Sequence, residues 1–462
     1  MENSTLLDII SRMLAENKFS TIKDILREMN IVDIASAISE AEETDQVRIF
    51  RLLPKDSSAD VFSYLDSDTQ QTVINSITNV ELHNLIEDMF IDDAVDFLEE
   101  VPANVVTRVL SQTSKETREI INKFLRYPDD SAGSIMTCEM AAFHVDSTVD
   151  DAIRDLRRTA QDKETVETCY CIDEKRHLIG SIPLRKIIIS EPGTVLHDIM
   201  MDDQQLISVN THDDQETVAA VVRKYDLLSV PVVDNENRLV GIITVDDIVD
   251  VIQEENTEDF EKMALLLPSE DDYMHTGVFR LTGNRIVWLL ILMISATFTG
   301  KIIESFEVSL AGIVGLTACI PMLMDTGGNS GNQVSTLIIR GLALGTVTPK
   351  DYFKVLWKEI RVAVLCGLAL GTANLIRMLV LSAVGFSHSD TPVIFVVSLS
   401  MLCTIILAKS IGCSLPILAK LLHLDPALMA GPMITTIVDA VSLLIYFGIA
   451  TIFINAGMLQ MA

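Results

Sequence analysis

Basic residues are scarce in this chain. Of its 462 residues, 35 are Lys or Arg against 65 Asp or Glu, a formal net charge of −30. Such acidity repels nucleic acid and anionic lipid headgroups, so nucleic-acid binding is set aside and the charge points to cations or basic proteins as partners. A cysteine framework is also missing. Seven Cys, an odd number scattered from Cys138 to Cys413, give no disulfide set and no pair of metal-type Cys-x-x-Cys motifs, which fits a reducing cytosol. Cys169 and Cys171 bracket Tyr170 inside an apolar run and read as a half-buried strand. No His-Glu-x-x-His or comparable constellation stands in an apolar stretch, so a membrane protease is excluded and the chain is read as no enzyme. The opening MENSTLLDIISRMLAENK lacks the basic start and apolar core of a cleaved signal, so the first half is expected to stay inside the cell.

What is present divides into two unlike halves. Up to Arg280 there are 57 Asp or Glu and 25 Lys or Arg, a balance of −32; from Leu281 onward there are 8 and 10, a balance of +2. The second part holds long apolar runs of bilayer-crossing length, drawn as five segments at about 286–303, 310–344, 355–385, 392–422 and 426–456. Arg340, Lys350, Lys354, Lys358 and Arg361 crowd one connection, whereas 304–309, 386–391 and 455–462 hold no Lys or Arg. By the positive-inside rule that connection is cytoplasmic, which places the N-terminal half inside and the C-terminus outside. Five spans without an internal repeat favour an oligomer that builds one shared pore over a self-contained inverted-repeat transporter.

In the acidic half, apolar residues recur at three and four from Leu6 to about Arg126, as in Ile22, Ile25, Leu26 and Met29, with Pro54 and Pro102 as punctuation. This predicts a bundle of short helices. Asp92, Asp93 and Asp96 fall on one stripe opposite Val95 and Leu98, a solvated face or a cation surface. An internal repeat follows. Ile135-Met136 heads one copy and Ile199-Met200 the other, and each runs into strand, acidic helix start, helix, strand, turn, strand and helix. The pattern resembles the tandem CBS (cystathionine β-synthase) pair, a regulatory module that often binds adenine nucleotides, and covers roughly 131–251. The second copy carries the family's Gly-x-x-Thr-x-x-Asp ending, which implies Thr244 near phosphate and Asp247 on ribose; the first has Pro183 and Lys186 there, leaving one nucleotide pocket. Next, a helix is predicted from Asp246 to about Asp272, carrying Asp246, Asp247, Asp250, Glu254, Glu255, Glu258, Asp259 and Glu261. Like charges at helical spacing destabilise one another, so it is either a solvated linker or a cation sensor.

Ionisable and amide-bearing groups inside spans are costly and by default functional. The second segment contains Pro321-Met-Leu-Met-Asp325-Thr-Gly327-Gly328-Asn329-Ser-Gly331-Asn332-Gln333. Its glycines suit close helix packing, and its amides suit a water-lined path. Asp439 is the sole acid of a long apolar run in the fifth segment, near Thr435 and Thr436. Ionised, it must face water or a cation, or pair with Lys409 or Arg377 in the neighbouring spans. One carboxylate per subunit around an axis makes a cation-selecting ring, and an ion that keeps its hydration shell, such as Mg²⁺, needs no cage of several carboxylates.

The acidic helical region, the CBS copies, the acidic connecting helix, and five spans with Pro-x5-Gly-Gly-Asn-x-Gly-Asn-Gln in the second and Asp in the fifth resemble the MgtE family of magnesium channels over essentially the whole chain. The resemblance implies a multidomain membrane protein. Its parts are an all-α N-terminal bundle (1–130), an α+β tandem CBS pair (131–196 and 197–250), a connecting plug helix (251–280, the helix itself about 251–267) and a five-helix all-α transmembrane domain (281–462). It further implies a homodimer in the cytoplasmic membrane, in contact with lipid, whose axial pore holds hydrated Mg²⁺ on Asp439 with the Thr435 carbonyl, along a path lined by Asn329 and Asn332. Regulatory Mg²⁺ would bind Asp92, Asp93 and Asp96 in the bundle, Asp214, Glu216 and Asp226 in the second CBS copy, Asp247, Asp250, Glu255, Glu258 and Asp259 around the plug, and Asp425 at the mouth. ATP or another adenine nucleotide would sit at Thr244 and Asp247. The expected function is Mg²⁺ uptake through a channel that cytosolic Mg²⁺ closes, with an ion-coupled secondary transporter or exporter of divalent cations as the alternative.

Overall fold

A computed structural model describes residues 2–201, 206–269, 273, 276–310, 314–384 and 391–458. The chain divides into two compact units, Met1–Ile252 and Gln253–Ala462.

The first unit opens with ten short helices among the described residues, from α1 (Glu2–Ala15) through α8 (Ile91–Glu100) to α10 (Lys115–Phe124). Their shortness follows from local chemistry: Asn30, Asp66, Thr78 and Ser114 each accept a backbone N–H of the following first turn, and Thr78 with Glu81 forms a reciprocal capping box. The three-and-four spacing turns Ile22, Leu26, Ile38, Phe62, Ile74 and Val95 into one core. Phe62 and Phe97 meet edge to face, ring centres 5.1 Å apart.

The repeat folds as two copies of one design. In the first, β1 (Met140–His144), α11 (Val149–Thr159), β2 (Thr165–Ile172), β3 (Leu178–Pro183) and α12 (Leu184–Ile189) follow one another; after α13 (Leu196–Ile199), the second has β4 (Val209–Asn210), α14 (Gln215–Tyr225), β5 (Ser229–Val233), β6 (Leu239–Thr244) and the start of α15 (Val245–Met263). In each sheet the first strand pairs parallel with the second and the second antiparallel with the third. The two β-turns match as well. Asp173 accepts from the amides of Lys175 and His177, and Asp234 from those of Glu236 and Arg238. The copies lock through these turns, Leu178 N–H donating to Asn237 O (3.0 Å) and Leu239 N–H to Arg176 O (2.9 Å). The repeated glycines explain the repeated Ile-Met heads. A Cβ on Gly241 would stand 2.8 Å from Met136 Sδ, and one on Gly180 would stand 2.8 Å from Met200 Sδ, so each copy's Met seats on the other's glycine. The second copy's first strand is shorter than expected, and residues 202–205 before it lie outside the described ones.

In the second unit α15 ends at Met263, with Leu265 at φ +54 closing the turn; the expected helix to Asp272 stops short, and 270–272 lie outside the described residues. Then come α16 (Val278–Leu310), α17 (Val314–Thr317), α18 (Ile320–Ala343), α19 (Tyr352–Ala383), α20 (Thr391–Leu421) and α21 (Gly431–Asn455). The first apolar segment is thus a longer helix than its hydropathy outlined, because polar Thr282, Asn284 and Arg285 still continue its helix. The second segment is split into α17 and α18, and the fifth is broken at Ala430 and Gly431, where a 3₁₀ turn, Pro426–Met429, precedes the helix. Gly431 has φ +44, a conformation that favours glycine. Among the described residues four segments, Val278–Phe306, Pro349–Ala383, Thr391–Leu421 and Pro426–Asn455, are long and apolar enough to cross a membrane. The polar run inside α18 keeps that helix below the same hydropathy, although its 24 residues reach about 36 Å, bilayer-spanning length.

Candidate functional site

The glycines of α18 bring three helices together. Cβ atoms on Gly327 would meet Ser442 Oγ at 2.7 Å and Thr404 Cγ2 at 2.9 Å, on Gly328 Thr435 Cγ2 at 2.9 Å, and on Gly331 Ile434 Cγ2 at 2.9 Å; Gly412 of α20 abuts the backbone of Gly331. Both readings of the motif therefore share one segment, with glycines packing and amides bonding. Asn332 Oδ1 accepts the N–H of Gly431 (2.9 Å) and Ser335 Oγ donates to Met429 O (2.9 Å), so α18 fixes the start of α21. Asn329 is exposed and donates to Asp325 Oδ1 (3.1 Å), one turn earlier. Asp325 belongs to the same motif, and its four-residue spacing from Asn329 is the sequence signal that pairs them. Asp325, Asn329, Gln333, Thr336 and Arg340 together leave a polar, exposed stripe along α18.

Asp439 lies on α21 one turn beyond Thr435, within electrostatic reach of Asp325, and its Oδ1 is buried without a hydrogen-bond partner. The salt-bridge alternative finds no support among the described residues. Arg377 spends its guanidinium on Asn374 Oδ1 and Met322 Sδ, and Lys409, buried on α20, forms no ion pair with Asp439. Thr435 Oγ1 donates to Gly431 O (3.0 Å) and turns its methyl toward Gly328.

At the end of α15, Lys262 Nζ lies 2.9 Å from Asp425 Oδ2 and 2.6 Å from Glu258 Oε1. Asp425 also accepts the N–H of Ala427, and Arg340 donates to Asn256 Oδ1 (3.1 Å). Burial and the Asp425 charge raise the Asp259 carboxyl above its usual range. Glu255 and Asp250 also lie on α15. Of the acids expected around the plug and at the mouth, Glu258 and Asp425 are thus brought together, through a lysine that sequence reasoning left out.

A second acidic cluster lies inside the first unit: of the stripe expected on α8, Asp96 is exposed, whereas the other two acids are drawn in. Asp92 and Asp93 are half-buried. Burial, with Asp93, Asp247 and Glu164 adding repulsion, holds the Asp92 carboxyl well above the ordinary range; burial, then Asp247 and Asp60, push Asp93 up to about 6. Asp96, more exposed, is raised to about 7 by loss of water and by Asp93 and Glu99, and Glu164 to about 7 by burial and Asp247. Glu164, Glu139 and Asp60 were missed, since no periodicity joins them to α8. Asp247 is also raised by burial while bonded to Thr244, whose hydroxyl (2.6 Å) and N–H (3.2 Å) both donate to Oδ2. The two candidate nucleotide residues therefore cap the start of α15 together.

Asp214, Glu216 and Asp226 are exposed around α14. Asp214 caps the helix by accepting from Glu216 N–H (3.0 Å), and Asp226 closes it at φ +51. Among the described residues no three His, Cys, Asp or Glu side chains come close enough to hold one bare metal ion. A hydrated ion bridging carboxylates through its water shell fits the donor set better.

Comparison with known proteins gives the chain its place. The model of the MgtE divalent cation transporter matches residues 320–449, that of the MgtE intracellular N domain 29–130, and that of the CBS domain 196–254. The magnesium transporter MgtE of Thermus thermophilus is 34% identical over 452 residues, 97% of this chain and 98% of that protein. The chain belongs to the MgtE family. MgtE of Bacillus subtilis is 31% identical over 459 residues, 99% of this chain and 100% of that protein. Two solved structures are similar to the first half: the soluble part of a magnesium transporter (30% identity, TM-score 0.51, 55% of this chain and 99% of that one) and the cytosolic domain of the Mg²⁺ channel MgtE in complex with ATP (34%, 0.50, 52% and 98%). MgtE proteins are magnesium transporters and not enzymes, as the sequence implied. The MgtE architecture of helical domain, CBS pair and apolar helical region is present here throughout.

Proposed function

We propose that this chain is a Mg²⁺-selective channel for uptake across the cytoplasmic membrane, closed by cytosolic Mg²⁺. The observation that carries the reading is the partnerless, buried carboxylate oxygen of Asp439 beside Asp325. A buried carboxylate without a donor is costly unless a cation takes it. Hydrated Mg²⁺ would rest on Asp439 and the Thr435 carbonyl, with Asn329 along the path and Asn332 holding the start of α21 in place. The exposed polar stripe of α18 is hard to reconcile with lipid, and a homodimer with the pore on its axis buries it in water and protein. Five spans, α18 included, with the N-terminus cytosolic and the C-terminus outside, agree with the basic residues gathered from the end of α18 to the first turns of α19. At −100 mV a divalent ion gains about 4.6 kcal/mol on entry, so no coupled ion is needed.

Gating follows from the acids. With little Mg²⁺ the carboxylates of α8, Glu164 and Asp247 repel one another; with enough, divalent ions neutralise them and favour the closed arrangement, to which α15 (the plug, from about residue 251) is connected. Asp214, Glu216, Asp226, Asp250 and Glu255 are proposed as further weak sites; several acting together make the response steep. An adenine nucleotide at Thr244 and Asp247 is supported by the ATP of the solved relative, and its ribose would compete with the Thr244 cap for Asp247.

The test is Mg²⁺ flux into liposomes, wild type beside Asp439→Ala, with Mg²⁺ on the cytoplasmic face stepped from micromolar to about ten millimolar. Conduction that needs Asp439 and shuts as Mg²⁺ rises is the expected result. Saturating flux that requires a proton or sodium gradient would overturn it in favour of a coupled transporter.

A further inference from the structure

Where the proposed gate meets the mouth, a cation of the protein's own is already in place. Lys262 Nζ bridges Glu258 (2.6 Å), four residues back on α15, and Asp425 (2.9 Å), in the connection before α21; the three side chains are 22%, 38% and 31% exposed. The contact is reinforced on both sides. Arg340 of α18 donates to Asn256 of α15, and the Met263 carbonyl lies 2.6 Å from where a Cβ on Gly431 would stand, with Met263 packed on Ile339, Ala427 and Ala430. This joint lies wholly within the second unit. A carboxylate on the plug and a carboxylate at the mouth are what a divalent ion would bridge, and here one ammonium bridges them.

We infer that Lys262 is a tethered substitute for a divalent cation, holding the end of α15 on the mouth and setting the Mg²⁺ range over which that joint responds. The inference rests on the gating reading above. An ion pair of this exposure is weak alone, but Glu258 four residues ahead of Lys262 pre-aligns the ammonium, and the surrounding apolar contact keeps it there. A group on so short a tether competes at an effective concentration of the order of millimolar, so free Mg²⁺ must reach about that level before it displaces Lys262 from Asp425. At micromolar Mg²⁺ the lysine keeps the joint partly formed, so wild type conducts below its full rate; millimolar Mg²⁺ completes the closure, and the response to lower concentrations is left to the cluster around α8.

The experiment uses the full chain in liposomes and compares wild type, Lys262→Gln, Lys262→Arg and the double variant Lys262→Gln/Asp425→Asn. Lys262→Gln is expected to raise flux at micromolar Mg²⁺ by about threefold or more, because the ammonium bridge is gone, and still to close as Mg²⁺ rises, because Glu258 and Asp425 are free to take the ion. Lys262→Arg should resemble wild type, and the double variant should lose the millimolar part of the Mg²⁺ closure that the single variant keeps. Wild-type flux and Mg²⁺ range in Lys262→Gln, or a double variant indistinguishable from the single one, would overturn the inference. Hydrogen exchange separates this failure from failure of the gating reading. In Mg²⁺-free protein, amides of residues 256–263 should exchange faster in Lys262→Gln than in wild type even if wild-type flux proves insensitive to Mg²⁺; unchanged exchange removes the tether itself.

Discussion

The carboxyls of Asp93, raised to about 6, and of Asp96 and Glu164, each raised to about 7, make the first unit a proton acceptor near neutrality. Folded, these groups keep protons that the unfolded chain has released above its ordinary carboxyl range, so the stability they contribute is present at low pH and is lost as pH rises through about 6 to 7. The capping acids Asp66 and Glu81, and Glu87, which accepts the Ser114 N–H and the Thr117 hydroxyl, run the other way, held below the usual range, and lose their contribution only on acidification below it. Without divalent ions, the thermal midpoint of the full protein should therefore be higher at about pH 5.5 than at about pH 8, and Mg²⁺ should raise it more at the higher pH. A calorimetric scan at both pH values, with chelator and with Mg²⁺, checks this; an Mg²⁺ effect equal at the two would remove the cluster from Mg²⁺ binding. The acids of α8 were legible from their spacing along the sequence. Their partners were not, because Glu139 and Glu164 reach α8 only through the fold of the CBS pair, and no sequence period carries that information.

Between elements, the decisive bond is Asn332 Oδ1 with the N–H of Gly431, since it ties the amide run of α18 to the start of the helix that carries Thr435 and Asp439. Asn332→Leu removes the acceptor and leaves a half-buried N–H unsatisfied, a cost of about 1–3 kcal/mol. Flux is expected to fall severalfold while the helices remain, whereas Asn332→Asp, which keeps an acceptor oxygen, should retain more of it. Equal losses from the two variants, measured in the same liposomes, would show that the amide acts on the ion and not on α21. Packing makes a second prediction at this scale. Gly412→Ala forces a Cβ into the Gly331 backbone, so α18 and α20 must part at a cost of about 1–3 kcal/mol, read as a lower thermal midpoint. Helix existence was legible here from apolar length, but ends were not. The 3₁₀ turn at Pro426–Met429, the positive φ of Gly431 after it and the split before α18 are local breaks that hydropathy averages away.

For the whole molecule, the charge is divided so that the first 280 residues carry a balance of −32 and the remainder +2, a legible signature of an acidic part joined to a nearly neutral, apolar helical part. Which face of α18 stays polar and exposed was only half legible. The Asn-Gly run announced a break in apolarity, but the exposure of Asp325, Asn329, Gln333 and Thr336 along one stripe emerges only when the glycines beside them are spent on α20 and α21. If two copies share one pore, mixing wild type with Asp439→Ala tests it without any structural probe. With equal amounts of the two chains co-expressed and randomly assembled, flux should fall to about a quarter of wild type when both Asp439 carboxylates are required, and to about half when each copy conducts alone. Flux measured across a series of mixing ratios separates the square law from the straight line, and a straight line would place the whole path inside a single chain, leaving the polar stripe of α18 to be explained by some other neighbour.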